Sequence, residues 1–240
     1  MGIGIQELQF LSRCSQEKEF GKTLTIGRQG VHVFPHQGKY LLGVDDFVKT
    51  DFCEDMFTTY FGSTIVQSMD YSDYEGATII HDLNKPIDTA THEYDTIFDG
   101  GSLEHVYNIP EAFKSLSKMC KVGGQILHSL PLNNNSGHGF WQMTPELFFS
   151  LYSEKNGYSN TKVYIGSTED VDWVFEVQPP ENGERLDIQV FLYEQKQYRP
   201  LYAFVKTTLT REDFSHDRVM QSDYDYIWKQ DKLVKQNEKI

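Results

Sequence analysis

Short runs of β-forming residues recur through the first 130 positions of the chain, and segments with a helical period separate them. The runs lie at 22–33, 63–69, 77–81, 94–98 and 125–130. Between them, 51–60 and 111–119 place apolar side chains at helical spacing, and Gly123 with Gly124 is expected to end the second of these helices. Strands that alternate with crossover segments pair in parallel. The pattern therefore predicts an α/β fold, Rossmann-like and doubly wound, with a mostly parallel sheet.

The pattern changes after the fifth run. A helix is predicted at 145–152, with Thr144 as its cap. Beyond it, strand-like alternation occurs at 162–166, 173–177, 186–193 and 201–207, and 179–184 has the composition of a hairpin turn. We therefore divide the chain into a leader or covering helix (1–21), a Rossmann-like core (22–160), a β-rich extension of the sheet (161–210) and a polar tail (211–240) that is expected to form a peripheral helix.

Length and composition favour one soluble domain with an appendage. The chain has 240 residues, of which 39% are hydrophobic. No stretch approaches the roughly 18 consecutive apolar residues that span a bilayer. The first 20 residues lack the pattern of a signal or transit peptide, so we expect a cytoplasmic protein without a membrane partner. Cys14, Cys53 and Cys120 are far apart and odd in number, which favours reduced thiols over a disulfide framework or a zinc knuckle.

The net charge of -13 disfavours a nucleic-acid partner. A field of this sign repels phosphate backbones, and no run of Lys or Arg creates a local exception. The same charge is also found on ordinary soluble surfaces. Because the charge disfavours nucleic acid, we expect a small-molecule substrate.

Acidic residues follow three of the predicted strands: Asp70, Asp82 and Asp99. The carboxyl ends of parallel strands meet at one edge of a sheet, so these carboxylates are expected to face one crevice. Asp70 could accept hydrogen bonds from both hydroxyls of a ribose, Tyr71 could offer an aromatic face to adenine, and Asp82 could accept from an exocyclic amine. The alternative for each Asp is a turn or a helix cap.

Residues 94–127, YDTIFDGGSLEHVYNIPEAFKSLSKMCKVGGQIL, carry a family resemblance. This block resembles the fourth strand, helix and fifth strand of the class I S-adenosylmethionine-dependent methyltransferases, including their Leu-Glu-His element and Gly-Gly turn. The resemblance implies S-adenosylmethionine as cofactor. It further implies a ribose role for Asp70, adenine contacts for Asp82 and Leu83, and a methionine end lined by Asp99 and Gly100.

The first turn departs from that family, which usually has an acidic residue and three closely spaced glycines there. This chain has TIGRQG, so Gly27, Arg28 and Gln29 are its candidate cofactor-loop residues. Gly27 and Gly30 keep part of the backbone freedom of the family loop, whereas Arg28 and Gln29 fill space. Asp99 or a rearranged Gln29 could bind the amino group of the cofactor. The alternative is a binding or scaffold protein that kept the fold and lost the cofactor.

The segment 133–158 follows the fifth strand and is the candidate substrate region. Its amides, together with Ser136, Phe140 and Trp141, combine hydrogen bonding with flat apolar faces, which suits a carbohydrate. The alternative is a glycine-rich loop packed by two aromatic side chains. The predicted function is methyl transfer to a small polar acceptor, most simply a carbohydrate oxygen.

Transfer to a hydroxyl requires a base of near-neutral pKa, which favours histidine. His138, in the substrate region, is the first candidate, and His105, near the fourth strand, is the second; the alternatives are a solvated loop residue and a packing residue. His128 is expected to be structural. No His or Cys pair has metal-ligand spacing, and neither GxSxG nor a P-loop occurs. An oxidoreductase using a nicotinamide cofactor is disfavoured because GxGxxG is missing.

Overall fold

A central sheet organises the computed structural model, which describes residues 2–88, 90–167, 174–181, 183–185 and 200–237. Within these residues eight strands form one sheet and two short strands form a separate pair. The strands are β1 (Gly2–Ile3), β2 (Gly21–Ile26), β3 (Gly30–Val31), β4 (Ser63–Asp70), β5 (Ile79–Ile80), β6 (Tyr94–Gly100), β7 (Cys120–Pro131), β8 (Tyr158–Ser167), β9 (Val174–Val177) and β10 (Leu201–Leu209).

The order of the strands is β5-β4-β2-β6-β7-β10-β8-β9. The first five pair in parallel, and the order reverses next to β2, as in doubly wound sheets. β10 is inserted antiparallel between β7 and β8, and β9 is antiparallel to β8. The predicted Rossmann-like fold with a β-rich C-terminal extension is therefore confirmed.

Helices cover both faces of the sheet. They are α1 (Ile5–Glu17), α2 (Pro35–Leu42), α3 (Glu54–Tyr60), α4 (Ile109–Met119), α5 (Pro145–Leu151) and α6 (Ser222–Asn237), with 3-10 turns at Leu103–His105 and Glu154–Asn156. Successive side chains of a strand point to opposite faces. Ile97 accordingly joins the core under α4 and α5, whereas Phe98 joins the core under α1 and α3.

Several predicted elements are confirmed with altered bounds. The run at 22–33 is divided, because β2 ends at Ile26 and β3 pairs with β1. The run at 77–81 forms only the two residues of β5. Thr144 caps α5 as predicted, since its hydroxyl accepts a hydrogen bond from the Leu147 N–H at 3.4 Å. The predicted strand at 186–193 lies outside the described residues.

The prediction that Gly123 and Gly124 end the fourth helix is wrong. α4 ends at Met119, and β7 begins at the next residue. Gly123 has a φ of +81°, and the pairing register between β6 and β7 shifts in this region. A glycine with positive φ serves a strand irregularity as readily as a helix cap, which explains the error. No helix among the described residues is long and apolar enough to cross a membrane.

Candidate functional site

A cavity of 370 Å³ opens at the carboxyl edge of the sheet, beyond the ends of β2, β4 and β5. We call it the β2–β4 cavity. It is lined by Ile26, Gly27, Met69, Asp70, Tyr71, His81, Asp82, Leu83, Asn84, Ser102, His105 and Val106. Ligands of open α/β sheets bind in this position, next to the strand where the order reverses.

The backbone at the end of β2 shapes one wall of this cavity. Gly27 has a φ of +71°, and its N–H donates to the carbonyl of Met69 at 2.7 Å. A residue with a side chain is disfavoured in that conformation, so the glycine is required for the turn. Asp70 also lines the cavity, and its Oδ1 accepts a hydrogen bond from the N–H of Tyr71 at 2.6 Å. Gly27 and Asp70 therefore both line the same open cavity.

Asp82 also lines the cavity, but it has local partners. Its Oδ1 accepts hydrogen bonds from both the backbone and the side chain of Asn84, each at 3.0 Å, and Lys85 lies 3.5 Å from Oδ2. These hydrogen bonds from Asn84, followed by the contribution of Lys85, hold the pKa of Asp82 below its usual value. Asp82 thus serves a turn as well as the cavity, and neighbouring Leu83 is buried in the core.

Arg28 does not line the cavity. Its Nε donates to Glu54 at 2.7 Å, its Nη1 donates to the carbonyl of Glu75 at 2.8 Å, and its guanidinium lies 4.0 Å from the centre of the Phe52 ring. The side chain is therefore drawn toward α3 and the segment before β5. Arg28 therefore leaves the β2–β4 cavity unblocked.

Gln29 fills space inside the loop. It is fully buried, and its Nε2 donates to the carbonyl of Ile26 at 2.6 Å. Its Oε1 has no hydrogen-bond partner among the described residues and lies close to Gly100, where a Cβ would approach it to 2.7 Å. Gln29 thus presents a buried acceptor oxygen at the junction of β2 and β6.

Asp99 is fully buried and belongs to a hydrogen-bond network below the cavity. It accepts hydrogen bonds from the N–H groups of Ser102 at 2.9 Å and Leu103 at 3.3 Å. Its Oδ2 lies 3.0 Å from Nδ1 of His128. Of the three strand-end carboxylates, Asp70 and Asp82 therefore line the crevice and Asp99 does not. His128, which was expected to be structural, is completely buried.

A second cavity, of 290 Å³, adjoins the first where His105 lines both. We call it the α1 cavity. It is lined by Gly2, Gly4, Ile5, Gln6, Glu7, His32, Gly100, Gly101, Glu104, His105, Ser129, His138 and Tyr202. Both predicted catalytic histidines, and Gly100 of the predicted cofactor set, thus lie on its wall.

Glu104, His105 and His138 form a polar cluster at the border of the two cavities. Oε1 of Glu104 lies 3.3 Å from Nε2 of His138 and 3.8 Å from Nε2 of His105. The Glu104 side chain is 0% exposed, whereas each imidazole is 49% exposed. Burial, and secondarily the nearby Asp99 carboxylate, raises the pKa of Glu104 to about 8. Burial and the neighbouring His138 lower the pKa of His105.

The predicted substrate segment is tied to this cluster. The carbonyl of Glu104 accepts hydrogen bonds from the N–H groups of Phe140 at 2.7 Å and Trp141 at 3.2 Å, and the Trp141 indole donates to the carbonyl of Val106 at 2.9 Å. Gly139 packs so closely that an added Cβ would lie 2.8 Å from Cγ of Glu104. The segment therefore covers the cluster, with its aromatic residues at the rim.

Sequence reasoning missed the two buried carboxyl groups of the α1 cavity, Glu104 and Glu7. Burial raises the pKa of Glu7, which accepts a hydrogen bond from the hydroxyl of Ser129 at 2.8 Å. Glu104 stands inside the quoted Leu-Glu-His element and could have been found there. No pattern in the sequence links Glu7, in the first helical turn, to a residue more than a hundred positions away.

Comparisons with known proteins find likeness in shape alone. No protein-family model matches the sequence, and no curated protein matches it. Among solved structures, phosphoethanolamine N-methyltransferase 2 of Haemonchus contortus, in complex with phosphomonomethylethanolamine and S-adenosylhomocysteine, is 14% identical with a TM-score of 0.49. That match covers 85% of this chain and 52% of the enzyme, so this chain spans about half of it.

Two bacterial structures are similar to a comparable degree. An O-methyltransferase from a polyketide multienzyme of Brevibacillus brevis, in complex with S-adenosylhomocysteine, is 13% identical over 95% of this chain and 77% of its own, with a TM-score of 0.47. A Bacillus halodurans protein named as a candidate methyltransferase is 12% identical over 84% of this chain and 97% of its own, with a TM-score of 0.46. At this distance, the acceptors of such proteins are not transferred to this chain.

Proposed function

We propose that this protein is an S-adenosylmethionine-dependent methyltransferase that acts on a small polar acceptor. The observation that carries the proposal is the open β2–β4 cavity, at the ligand-binding edge of a doubly wound sheet, with both Gly27 and Asp70 in its lining. A scaffold in which Arg28 blocks the cofactor position receives no support, because that side chain pairs with Glu54 instead.

The residues present fit the nucleoside end of the cofactor. The Asp70 carboxylate is placed to accept hydrogen bonds from ribose hydroxyls, and the exposed ring of Tyr71 offers an aromatic face. Asp82 and Leu83 supply a polar and an apolar contact for adenine. The ribose and adenine assignments require Asp70, Asp82 and Leu83 to line the same cavity, and they do.

The methionine end would lie toward the junction of β2 and β6, beside Gly27 and Gly100. The buried Oε1 of Gln29 would supply an acceptor for the amino group there after a rearrangement that exposes it, in place of the carboxylate that the loop lacks. Asp99 acts from below by holding the N–H groups of the turn after β6. When bound, the cofactor supplies a methyl group on a sulfonium, which needs only a nucleophile in line with the carbon–sulfur bond.

The acceptor is assigned to the α1 cavity, which meets the cofactor cavity at His105. His138 is the first candidate to remove the proton of an acceptor hydroxyl, and His105 is the second. Glu104 lies within 3.8 Å of both imidazoles, and its Oε1, 3.3 Å from Nε2 of His138, is placed to orient that ring. The arrangement supports proton removal at the place where the acceptor and the methyl group would meet.

A carbohydrate acceptor is supported by exposed aromatic side chains close to the cluster of Glu104, His105 and His138. Tyr107 and Phe140 are 74% and 69% exposed, and their ring centres are 6.3 Å apart. Trp141 lies beside them, 6.5 Å from Tyr107. Flat apolar faces next to a polar, carboxylate-containing cavity suit the alternating apolar and hydroxyl surfaces of a sugar.

The test is formation of S-adenosylhomocysteine from S-adenosylmethionine with a panel of sugars, polyols and amines. We expect turnover with at least one sugar, and a fall of about 100-fold or more in kcat for His138→Ala. His36→Ala, which changes an exposed histidine outside both cavities, is the matched control and should keep full activity. A folded protein that binds S-adenosylhomocysteine but transfers no methyl group to any acceptor would point to a binding protein instead.

A further inference from the structure

We propose that Glu104, His105 and His138 bind one divalent metal ion, with the donor preference of Zn²⁺, at the border of the two cavities. The assignment of the site rests on the geometry of these three side chains. Its link to an acceptor rests on the proposed function. Sequence spacing did not predict it, since two ligands are adjacent in the chain and the third lies 33 positions away.

The two donor separations that involve Glu104 are close to those of a tetrahedral site. One donor atom from each residue lies within 4.8 Å of the other two, and the two separations that involve Oε1 of Glu104 are 3.3 and 3.8 Å. Zinc bonds to nitrogen and oxygen are about 2.0–2.2 Å long, which sets the donors of a tetrahedral ion about 3.3 Å apart. An ion can therefore enter with only small side-chain adjustments.

The burial of Glu104 is a second and independent observation. Its side chain is completely buried, and its Oε2 has no hydrogen-bond partner within the described part of the chain. A buried carboxylate is costly unless it is paired or coordinates a metal. His105 and His138 are neutral bases in their metal-binding form, so a cation held between them and Glu104 would balance the charge of this buried carboxylate.

The ligands are held on well-supported backbone. The two hydrogen bonds from the segment over the cluster fix the carbonyl of Glu104, and Gly139 packs against its side chain. His105 follows directly in the same 3-10 turn. The N–H of His138 donates to the carbonyl of Asn135 at 3.0 Å. Such support reduces the cost of ordering the ligands when an ion binds.

Two imidazoles and one carboxylate leave a coordination position open, as in catalytic zinc sites. The half-exposed imidazoles direct that position toward the cavities, where an acceptor hydroxyl would reach it. Coordination to the ion would lower the pKa of the acceptor hydroxyl, so that its proton passes to water. The oxygen would then form the new bond to the methyl carbon while the carbon–sulfur bond of the sulfonium breaks. In the metal-bound protein, His138 is thus a ligand and the ion takes over its proposed role in activating the hydroxyl.

The test is titration of the tag-free, metal-free full-length protein with Zn²⁺ by calorimetry and with Co²⁺ by visible absorption. We expect one ion per chain and the intense bands of tetrahedral Co²⁺. His138→Ala should weaken Zn²⁺ binding by about 100-fold or more and abolish those bands. His81→Ala removes a histidine of the β2–β4 cavity outside the cluster and should change neither measurement.

Glu104→Gln keeps the shape of the side chain and should also abolish the bands. If that variant does not fold, His138→Ala decides the question, because His138 is half exposed. Absence of stoichiometric binding, or equal affinity in wild type and His138→Ala, would overturn the metal site. Binding of S-adenosylhomocysteine is measured separately. If the protein binds S-adenosylhomocysteine but no metal, only the metal site is overturned. If it binds metal but not S-adenosylhomocysteine, only the proposed function is overturned.

Discussion

Nδ1 of His128 lies 3.0 Å from Oδ2 of Asp99, and both side chains are completely buried. The pair joins neighbouring strands β7 and β6. The same carboxylate accepts hydrogen bonds from Ser102 and Leu103 in the turn that follows β6. A residue that the family resemblance assigns to the cofactor thus also fixes the backbone that carries the histidine–glutamate cluster.

Asp99→Ala should therefore lower the free energy of unfolding by about 3–5 kcal/mol, because it leaves a buried imidazole and two buried N–H groups without their acceptor. Urea unfolding followed by circular dichroism measures this change. Asp88→Ala, at an exposed aspartate, is the control and should stay within about 0.5 kcal/mol of wild type. Equal unfolding midpoints for the two variants would show that the Asp99 network contributes little to stability.

Gly139→Ala should lower the kcat for the acceptor, and the decrease should be larger than that caused by a substitution that only strains the backbone. Gly139 has a φ of +72°, and a Cβ there would lie 2.8 Å from the side chain and the carbonyl of Glu104. The segment over the cluster must then move. Steady-state kinetics should show a lower kcat, whereas calorimetry should show unchanged affinity for S-adenosylhomocysteine.

Gly137→Ala is the matched control for that prediction. Gly137 has a φ of +87°, but nothing lies within 4 Å of the added Cβ. The substitution should cost only the strain of a left-handed residue, about 1–2 kcal/mol in the free energy of unfolding. Equal kcat values for the two variants would mean that contact with Glu104 does not position the segment.

His216 should make the protein less stable in mild acid. Burial, and secondarily the nearby Lys114, lowers the pKa of His216 from 6.5 to about 4, and its Nε2 lies 2.8 Å from the hydroxyl of Tyr158. Between these two pKa values the unfolded chain binds a proton that the folded chain does not. The stability present above pH 6.5 is therefore lost as the pH falls toward 4.

Urea unfolding at about pH 7.5 and about pH 5 checks this, and wild type should lose about 1–2 kcal/mol more than His216→Phe between them. His36→Phe, at an exposed histidine, should behave like wild type. The same loss of stability in His216→Phe and wild type would show that His216 does not carry the acid sensitivity.

The sheet was predictable because strand alternation is a local signal. β4, β6 and β7 overlap the predicted runs, and the alternation of Ile97 and Phe98 between two cores follows from the period of a strand. Gly123 was misassigned because positive φ is compatible with both a helix end and a strand irregularity. The pairing partner, which the sequence does not state, decides between them.

The candidate site was predictable only in part. Asp70 and Asp82 were expected at one edge, since the carboxyl ends of parallel strands coincide there. The course of the Arg28 side chain depends on Glu54, in a helix 26 positions away. The contact between Glu104 and His138 depends on how the segment after β7 folds back over the 3-10 turn. Such long-range side-chain contacts leave no periodic signal in the sequence.

The central claim is that the cofactor binds between Gly27 and Asp70, and calorimetric titration with S-adenosylhomocysteine tests it most directly. The ligand-free wild-type protein should bind one equivalent. Asp70→Ala should weaken that binding by about 1–3 kcal/mol, since ribose hydroxyls would lose their acceptor, whereas Arg28→Ala should leave the affinity within about twofold because its side chain lies outside the cavity. Absence of binding to folded wild-type protein, or equal affinity in wild type and Asp70→Ala, would contradict the claim.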